Sequence, residues 1–210
     1  MSQPGYDALA ALYADTFPTP YQSPLESHAV ACFADAVVGQ AIAGTVIDVG
    51  SGVGHVTAEL SRLGLDVVGV EPSSGMRAIA QSTYPDCRFI EDDAHLAGPA
   101  AGIRVGAILA RYSLIHVDPT TLPEIVETWA ARVSDGGHLL IAGQALDTEG
   151  HAEFDHRVAR AWRWNPDALA TILRDAGFDE AWRMISRPDA EHRFPEFHLL
   201  AVRQTRARSL

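Results

Sequence analysis

Apolar residues alternate between two spacings along most of this chain. Short apolar or β-branched stretches predict strands over 45–49, 65–70, 88–90, 105–110 and 138–142. Between them, apolar residues recur every three to four positions and predict helices. Apolar strands that alternate with helices are typical of a parallel sheet covered by helices on both faces.

Both ends of the chain depart from this alternation. Two further strands are predicted over 178–185 and 197–202, and the loop between them is too short for a helical crossover, so they must pair antiparallel. A helix that starts at Asn165 and Pro166 precedes them. Residues 1–40 predict two helices separated by a proline-rich loop, and we expect these helices to form a lid.

The segment 144–165, between the fifth strand and the last helix, is rich in aromatic and polar side chains. It predicts a substrate-side insertion whose histidines and tryptophans wall an aromatic or apolar molecule: His151, His156, Trp162 and Trp164. The alternative is a helix over the sheet edge, because Phe154, Val158 and Trp162 lie at helical spacing. The two histidines and the glutamate between them lack the spacing of a zinc motif, so we predict no metal site.

Composition and charge narrow the class of protein. The 210 residues, 47% of them apolar, predict one domain made of a lid (1–40), a core (41–143), the insertion (144–165) and a C-terminal helix with a strand hairpin (166–210). Sixteen basic against 27 acidic residues give a net charge of −11, which argues against a nucleic-acid partner. No uncharged stretch is long enough to span a membrane, and the start does not resemble a secretory signal. Two widely spaced cysteines favour a reducing, cytoplasmic location.

The strongest motif is a glycine loop between the first strand and its helix. Gly50 allows the tight turn, Ser51 follows it, and Gly52 lets a ligand approach the backbone closely. Free N–H groups at the helix start favour a negatively charged group. The dinucleotide fingerprint G-x-G-x-x-G requires glycine at the position of His55, so the loop matches that fingerprint only in part.

Carboxylates follow the next two strands. Glu71 ends the second strand, 21 residues after Gly50, where a carboxylate can accept both hydroxyls of a ribose. Asp92 and Asp93 follow the third strand, where one of them can accept an adenine amino group. The neighbouring Ala94 favours Asp93, and we expect Asp92 to be solvated.

Together these segments resemble the class I S-adenosylmethionine-dependent methyltransferases, in particular bacterial enzymes that act on small molecules. The matching pieces are VIDVGSGVG, VVGVEPSSGM, FIEDDA, ILARYSLIHV, SDGGHLLIA and LRDAGF with the terminal hairpin, over about residues 43–203. The resemblance implies an α/β, Rossmann-like three-layer sandwich. Its mostly parallel sheet would have seven strands in the order 3-2-1-4-5-7-6, with strand 7 antiparallel.

The resemblance also implies contacts for S-adenosylmethionine and its product S-adenosylhomocysteine. Arg111 would present its backbone carbonyl to the cofactor ammonium. Apart from the resemblance, Tyr13 and Tyr112 are candidates to flank the sulfonium, with packing in the core as the alternative. Met76 would pack near the adenine, or else be a plain core residue of its helix. The other expected contacts, from the methionine portion to the ribose and the adenine edge, are Asp48, Gly50, Ser51, Gly52, Glu71, Pro72, Asp93 and Ala94.

Methyl transfer is an in-line displacement that mainly requires alignment and exclusion of water. A base is needed only if the acceptor is protonated, and His116 after the fourth strand is the candidate, with packing under the lid as its alternative. Tyr112 and His116 would face the acceptor, together with the aromatic and histidine residues of the insertion.

The sequence thus predicts methyl transfer to a small-molecule acceptor, by a monomer or homodimer with no nucleic-acid or membrane partner. Two alternatives are a nicotinamide-dependent oxidoreductase and a non-catalytic module that binds S-adenosylmethionine. The absent third glycine and the antiparallel terminal hairpin count against the oxidoreductase.

Overall fold

The computed structural model describes residues 4–190 and 192–205, so the outermost residues of the predicted lid and of the C-terminal segment lie outside the described part. Six α-helices are found in it: α1 Pro4–Thr16, α2 Pro24–Gly39, α3 His55–Arg62, α4 Ser74–Thr83, α5 Leu122–Arg132 and α6 Pro166–Asp175. Nine strands accompany them: β1 Thr45–Val49, β2 Val67–Val70, β3 Arg88–Ile90, β4 Val105–Arg111, β5 Val133–Gln144, β6 His151–Phe154, β7 Ala161–Trp164, β8 Phe178–Ser186 and β9 Glu196–Arg203.

Seven of these strands form one sheet in the order β3-β2-β1-β4-β5-β9-β8. Strands β1 to β5 pair in parallel, and β9 runs antiparallel to both of its neighbours. The predicted strand order, with an antiparallel seventh strand, is therefore confirmed, since β8 and β9 are the sixth and seventh strands of this sheet. The strand over 138–142 is longer than predicted, because β5 begins at Val133.

Alternate strand residues enter two separate layers of core. On β1, Val46 packs toward α2 and α3, where Phe33 and Leu60 are fully buried. Its neighbour Ile47 packs on the opposite face, toward α5 and α6. Successive side chains of a strand point to opposite faces, and both faces of this sheet are covered by helices. The central strands are therefore apolar at consecutive positions. The result is the predicted three-layer sandwich.

The segment between β5 and α6 is a β-hairpin, so the helix weighed for residues 144–165 is wrong. Strands β6 and β7 pair antiparallel, with Glu153 opposite Trp162. The chain is closed at the base of the hairpin, because the Asn165 N–H donates to the Gly150 carbonyl. Among the described residues, no helix has both the length and the apolar character needed to cross a membrane.

Candidate active site

The glycine loop turns at the carboxyl end of β1. Gly50 and Gly52 have positive φ angles of 70° and 56°. A Cβ on Gly50 would lie 2.3 Å from the Cβ of Ser113, so this glycine allows close packing against the segment after β4. A Cβ on Gly52 would meet nothing within 4 Å, and it would point into open space that a ligand can occupy.

Glu71, at the end of β2, lies beside this loop and is only 6% exposed. Its Oε2 accepts the N–H of Gly52 and its Oε1 accepts the N–H of Ser73, both at 2.8 Å. Burial raises the pKa of Glu71, and the two backbone N–H groups oppose that rise. Each carboxylate oxygen retains a lone pair that can accept a hydroxyl group.

The two aspartates after β3 have different places. Asp92 accepts the N–H groups of Asp93, Gly98 and Ala100, so it folds its own loop and is not the solvated carboxylate that we expected. Asp93 and Ala94 line a cavity above the sheet edge. The indole N–H of Trp129 on α5 donates to the Ala94 carbonyl at 2.7 Å and holds this segment in place.

The cavity has two adjoining compartments of about 400 and 440 Å³. The first lies between the ends of β1, β2 and β3, and the expected cofactor residues Pro72 and Met76 also line it. Met76 is 2% exposed and packs against α1, and it also lines the cavity. Both interpretations of this residue, contact near the adenine and core packing, therefore agree with its position. Residues common to both compartments are Tyr6, Tyr13, Gly50, Gly52, Arg111 and Tyr112.

The second compartment begins at the buried start of the glycine loop. Asp48 and Ser51 line it, and the Ser51 hydroxyl is buried with no hydrogen-bond partner among the described residues. The Thr57 hydroxyl donates to Asp48 at 2.6 Å. Burial raises the pKa of Asp48 to about 6, against the effects of Thr57 and of the Arg111 guanidinium.

Arg111 lies where the two compartments meet and lines both of them. Its guanidinium forms a buried ion pair with Glu26 of α2 and lies over the rings of Tyr21 and Tyr112. The following residue, Tyr112, has a φ of 53°, which is strained for a tyrosine. Its hydroxyl donates to Glu196 Oε2 at 2.9 Å, so it joins the end of β4 to the start of β9.

His116 lies in the one-turn 3₁₀ helix after β4 and lines the first compartment. Its Nδ1 is 2.9 Å from the Arg160 carbonyl, which can only accept, so Nδ1 carries the proton. The Tyr6 hydroxyl therefore donates to Nε2, at 2.7 Å. Burial lowers the pKa of His116, which keeps the imidazole neutral and Nε2 available as an acceptor. The ring of His156 lies 4.8 Å away.

The tryptophans predicted to wall the acceptor belong instead to the hydrophobic core. Trp162 and Trp164 are 7% and 6% exposed and line neither compartment. His151 is exposed and lies against Trp164, also away from the cavity. These three assignments are corrected because the hairpin turns its tryptophans toward the sheet. Of the insertion residues predicted for the acceptor, His156 alone lines the second compartment.

Several residues of the second compartment were not predicted, among them Glu26, Gln144, His192 and Glu196. Gln144 ends β5 and Glu196 begins the antiparallel β9, so both stand at the same edge of the sheet as the glycine loop. The predicted topology therefore contained a signal for these two. Glu26 and His192 lie in amphipathic or loop sequence with no motif around them.

Polar contacts from α1 and from the segment that follows it hold the N-terminal region over this edge. Asp7 of α1 accepts the Ser73 hydroxyl at 2.7 Å and the Gly75 N–H at 3.0 Å. His55 Nδ1 accepts the Tyr84 hydroxyl, and Nε2 donates to the Phe17 carbonyl at 3.1 Å. The residue that replaces the third glycine of a dinucleotide fingerprint thus holds the segment after α1 against α3.

Comparison with known proteins agrees with this geometry. The family model of the methyltransferase domain matches residues 20–181, more than half of the chain. An uncharacterized methyltransferase of Bacillus velezensis is 27% identical over 129 residues, which are 61% of this chain and 60% of the relative. Another, of Bacillus licheniformis, is 30% identical over 97 residues, 46% of each chain. The chain thus spans about half to three fifths of the length of these relatives.

Solved structures share the fold at low sequence identity. Magnesium protoporphyrin IX methyltransferase from Synechocystis, solved with bound S-adenosylmethionine, has a TM-score of 0.71 at 17% identity, over 96% of this chain and 95% of that one. A Burkholderia thailandensis 1,6-didemethyltoxoflavin-N1-methyltransferase, solved with bound 1,6-didemethyltoxoflavin and S-adenosylhomocysteine, has a TM-score of 0.66 at 18% identity, over 98% of this chain and 92% of that one. The [4+2]-cyclase SpnF has a TM-score of 0.72 at 15% identity, over 97% and 96%. Together with the family match, the glycine loop and its carboxylates identify this chain as a member of the methyltransferase-domain family.

Proposed function

We propose that this protein is an enzyme that transfers the methyl group of S-adenosylmethionine to a small-molecule acceptor. The observation that carries the proposal is the junction of two compartments at the glycine loop, one lined by Glu71 and Asp93 and the other by Asp48. A nucleoside fits the first compartment, and the second offers room for the methionine portion and an acceptor. The open space above Gly52 and the unpartnered Ser51 hydroxyl support this fit.

In this proposal, each end of the cofactor has its own contacts. Glu71 takes the ribose hydroxyls on its remaining lone pairs, and Asp93 with Ala94 takes the adenine edge. Asp48 and the Arg111 carbonyl face the methionine ammonium, and the remaining contacts come from Tyr13, Gly50, Ser51, Gly52, Pro72 and Met76. S-adenosylmethionine supplies an activated methyl group, so the protein must chiefly align the acceptor and keep water away.

The helices α1 and α2 act as the lid of this site. Tyr6 and Tyr13 cover the junction of the compartments from α1. Closure of such a segment excludes water and brings its side chains to the substrate. The contacts of Asp7 with the start of α4 and of His55 with Phe17 support this role, because they hold α1 and the segment after it against the site.

His116 is the candidate general base for an acceptor that must lose a proton. It lines the first compartment, and its Nε2 is hydrogen-bonded to Tyr6, which lines both compartments. Its neutral Nε2 accepts a hydrogen bond from Tyr6, so an acceptor hydroxyl or N–H that displaces Tyr6 finds an acceptor atom already oriented. The Arg160 carbonyl keeps the proton on Nδ1 and fixes this tautomer. Tyr112 and His156 complete the neighbouring surface.

The alternatives are disfavoured by specific contacts. The dinucleotide fingerprint lacks its third glycine, because that position is His55, whose ring is hydrogen-bonded to Phe17 and Tyr84. A non-catalytic binding module would need a blocked acceptor space, whereas the second compartment measures about 440 Å³. The free thiols of Cys32 and Cys87 agree with a cytoplasmic enzyme, which is part of the proposal.

The test is turnover measured as release of S-adenosylhomocysteine during incubation with S-adenosylmethionine and a panel of small O, N, C and S acceptors. We expect acceptor-dependent release, and we expect His116→Gln to lower kcat by a factor of 10² or more with an O–H acceptor. Release that never exceeds the acceptor-free rate, although the cofactor binds, favours the binding module. Oxidation or reduction of a nicotinamide would contradict methyl transfer.

A further inference from the structure

Two acceptor oxygens stand side by side in the second compartment. Gln144 of β5 and Glu196 of β9 are directly opposite each other in the antiparallel register. Side chains of such a pair leave the sheet on the same face, with Cβ atoms about 4.5–5.5 Å apart. Both residues line the compartment, so its wall offers an amide and a carboxylate together.

These oxygens have few donors within the protein. The Tyr112 hydroxyl donates to Oε2 of Glu196, and no described residue donates to Oε1. The amide oxygen of Gln144 is buried and has no hydrogen-bond partner in the described part of the chain. A buried acceptor without a donor is costly, so a bound molecule that brings N–H groups would satisfy both side chains.

The charge balance around this wall favours the same kind of ligand. Carboxylate oxygens of Glu26 and Glu196 and a ring nitrogen of His192 lie within 4.8 Å of one another. The Arg111 guanidinium is paired with Glu26, and His192 is paired with Asp189 at 2.9 Å. The Arg111 guanidinium is therefore paired with only one of two neighbouring carboxylates. Among the described residues Glu196 forms no ion pair of its own, although the His192 ring lies close enough to attract its charge.

We propose that the molecule bound in the second compartment carries a nitrogen group with N–H donors, such as an amidine, an amine or a carboxamide, and that Glu196 and Gln144 recognise it. The inference rests on the proposed function, because it names the class of methyl acceptor that the site takes. The carboxylate supplies a charge-assisted hydrogen bond to a cationic nitrogen and repels an anionic ligand.

A divalent cation is the rival occupant of the same side chains. Glu26, His192 and Glu196 have ligand atoms close enough to surround a metal ion. However, Glu26 is already paired with Arg111, so a metal ion there would face the guanidinium charge at short range. An organic donor that binds Glu196 and Gln144 leaves this ion pair intact.

The test is titration calorimetry of three ring compounds that differ in their polar group: benzamidine, benzamide and benzoate. The protein is first saturated with S-adenosylhomocysteine, so that the probes meet the acceptor part of the site and nothing turns over. We expect benzamidine to bind at least ten times more tightly than benzoate, with benzamide between them. Equal affinities, or tighter binding of benzoate, would overturn the inference.

Variants assign the preference to these side chains. Glu196→Gln should reduce benzamidine affinity at least tenfold and change benzamide affinity much less, because it removes the charge and keeps the size. Gln144→Leu should weaken both probes severalfold. Glu127→Gln, at an exposed position of α5, is the matched control and should change neither.

The experiment separates failure of this inference from failure of the proposed function. No binding of S-adenosylhomocysteine by the wild-type protein contradicts the proposed function itself. Binding of S-adenosylhomocysteine without discrimination among the probes overturns only the acceptor class. Zn²⁺ binding that Glu196→Gln abolishes, together with equal probe affinities, also overturns it in favour of a metal site.

Discussion

Glu71 combines two tasks in one side chain. Its oxygens accept the N–H groups of Gly52 and Ser73, which joins the glycine loop to the start of α4. The lone pairs that remain face the first compartment, where we place the ribose. The carboxylate therefore shapes the site before any ligand arrives, and its removal should affect binding more than folding.

We predict that Glu71→Gln weakens S-adenosylhomocysteine binding at least tenfold in titration calorimetry. The amide replaces one accepting oxygen by an NH₂ group, which opposes either a backbone N–H or a ribose hydroxyl. Glu91→Gln is the control, since Glu91 follows the neighbouring strand and is exposed. Equal affinity of the Glu71 variant and the wild type would remove the ribose assignment.

His198 on β9 makes a prediction about stability. It is 1% exposed, and neither ring nitrogen has a partner among the described residues. Burial, aided by the Arg111 charge, lowers the pKa of His198 to about 3. The unfolded chain, with a histidine pKa of about 6.5, therefore binds one more proton than the folded chain between these two pH values.

The free energy of unfolding should consequently fall as the pH decreases from about 6.5 toward 3, with His198 contributing about 1.4 kcal/mol per pH unit. In His198→Leu this contribution is absent, so the pH dependence should be flatter. Urea unfolding at several pH values measures it, and His28→Leu at an exposed position of α2 is the control. Parallel pH profiles for wild type and His198→Leu would contradict a neutral buried histidine.

The site residues that were predicted correctly are those that stand close to a recognisable sequence motif or strand end. Glu71 and Asp93 follow strands at a readable distance from the glycine loop, and both line the cavity. Glu26 depends on Arg111, which is distant in the chain, so no spacing rule indicates it. Glu196 is indicated only by its position at the start of β9, and not by its distance from the glycine loop. Trp162 was predicted to contact the acceptor but lies in the core. Sequence alone does not distinguish these two positions for an aromatic residue close to a site.

Among the elements, the glycine loop contains some glycines that are needed for packing and one that leaves space for a ligand. Gly50 is packed against Ser113, whereas the space above Gly52 is open. Gly54, at the start of α3, packs so closely that a Cβ would lie 2.6 Å from the ring of Phe89. The three glycines of the motif therefore have different roles: two allow close packing, and one leaves space open.

We predict different outcomes for alanine at two of these positions. Gly50→Ala should lower Tm strongly, because its Cβ overlaps with Ser113 and its φ is positive. Gly52→Ala should cost only about 1–2 kcal/mol of stability, from its positive φ, but should weaken S-adenosylhomocysteine binding at least tenfold by filling the open space. Thermal denaturation and calorimetry check both variants. Wild-type affinity in Gly52→Ala would contradict a cofactor above this glycine.

The hairpin shows where periodicity fails at this scale. Phe154, Val158 and Trp162 stand at helical spacing, yet β6 and β7 form because their residues pair across the hairpin and bury two tryptophans under it. In a segment this short, the apolar residues fit both a helical and a strand spacing, and packing against the end of β5 favours the strands. The sequence therefore located the insertion but left its structure open.

For the whole molecule, the sequence pattern predicted a mostly parallel sheet with an antiparallel terminal pair, and the family resemblance supplied the strand order. Five apolar strands alternate with helices and require a parallel sheet, while the short connection between β8 and β9 requires an antiparallel pair. The size and polarity of the second compartment did not follow. That compartment is assembled from α2, the ends of β4 and β5, and the start of β9, which meet only in the folded chain.

Ligand binding should stabilise the whole fold. S-adenosylhomocysteine at 100 times its Kd should add about 2.7 kcal/mol to the free energy of unfolding and raise Tm by about 5–11 °C for a chain of this length. NADH at the same concentration should leave Tm unchanged, which a thermal denaturation series with both ligands tests. A shift with NADH and none with S-adenosylhomocysteine would support an oxidoreductase.

The most direct test of the central claim is titration of the wild-type protein with S-adenosylhomocysteine by calorimetry. The cavity over the carboxyl edge of the sheet predicts one binding event per chain with a micromolar Kd. Absence of binding at millimolar ligand, by a protein whose cooperative unfolding shows that it is folded, would show that this cavity is not a cofactor site.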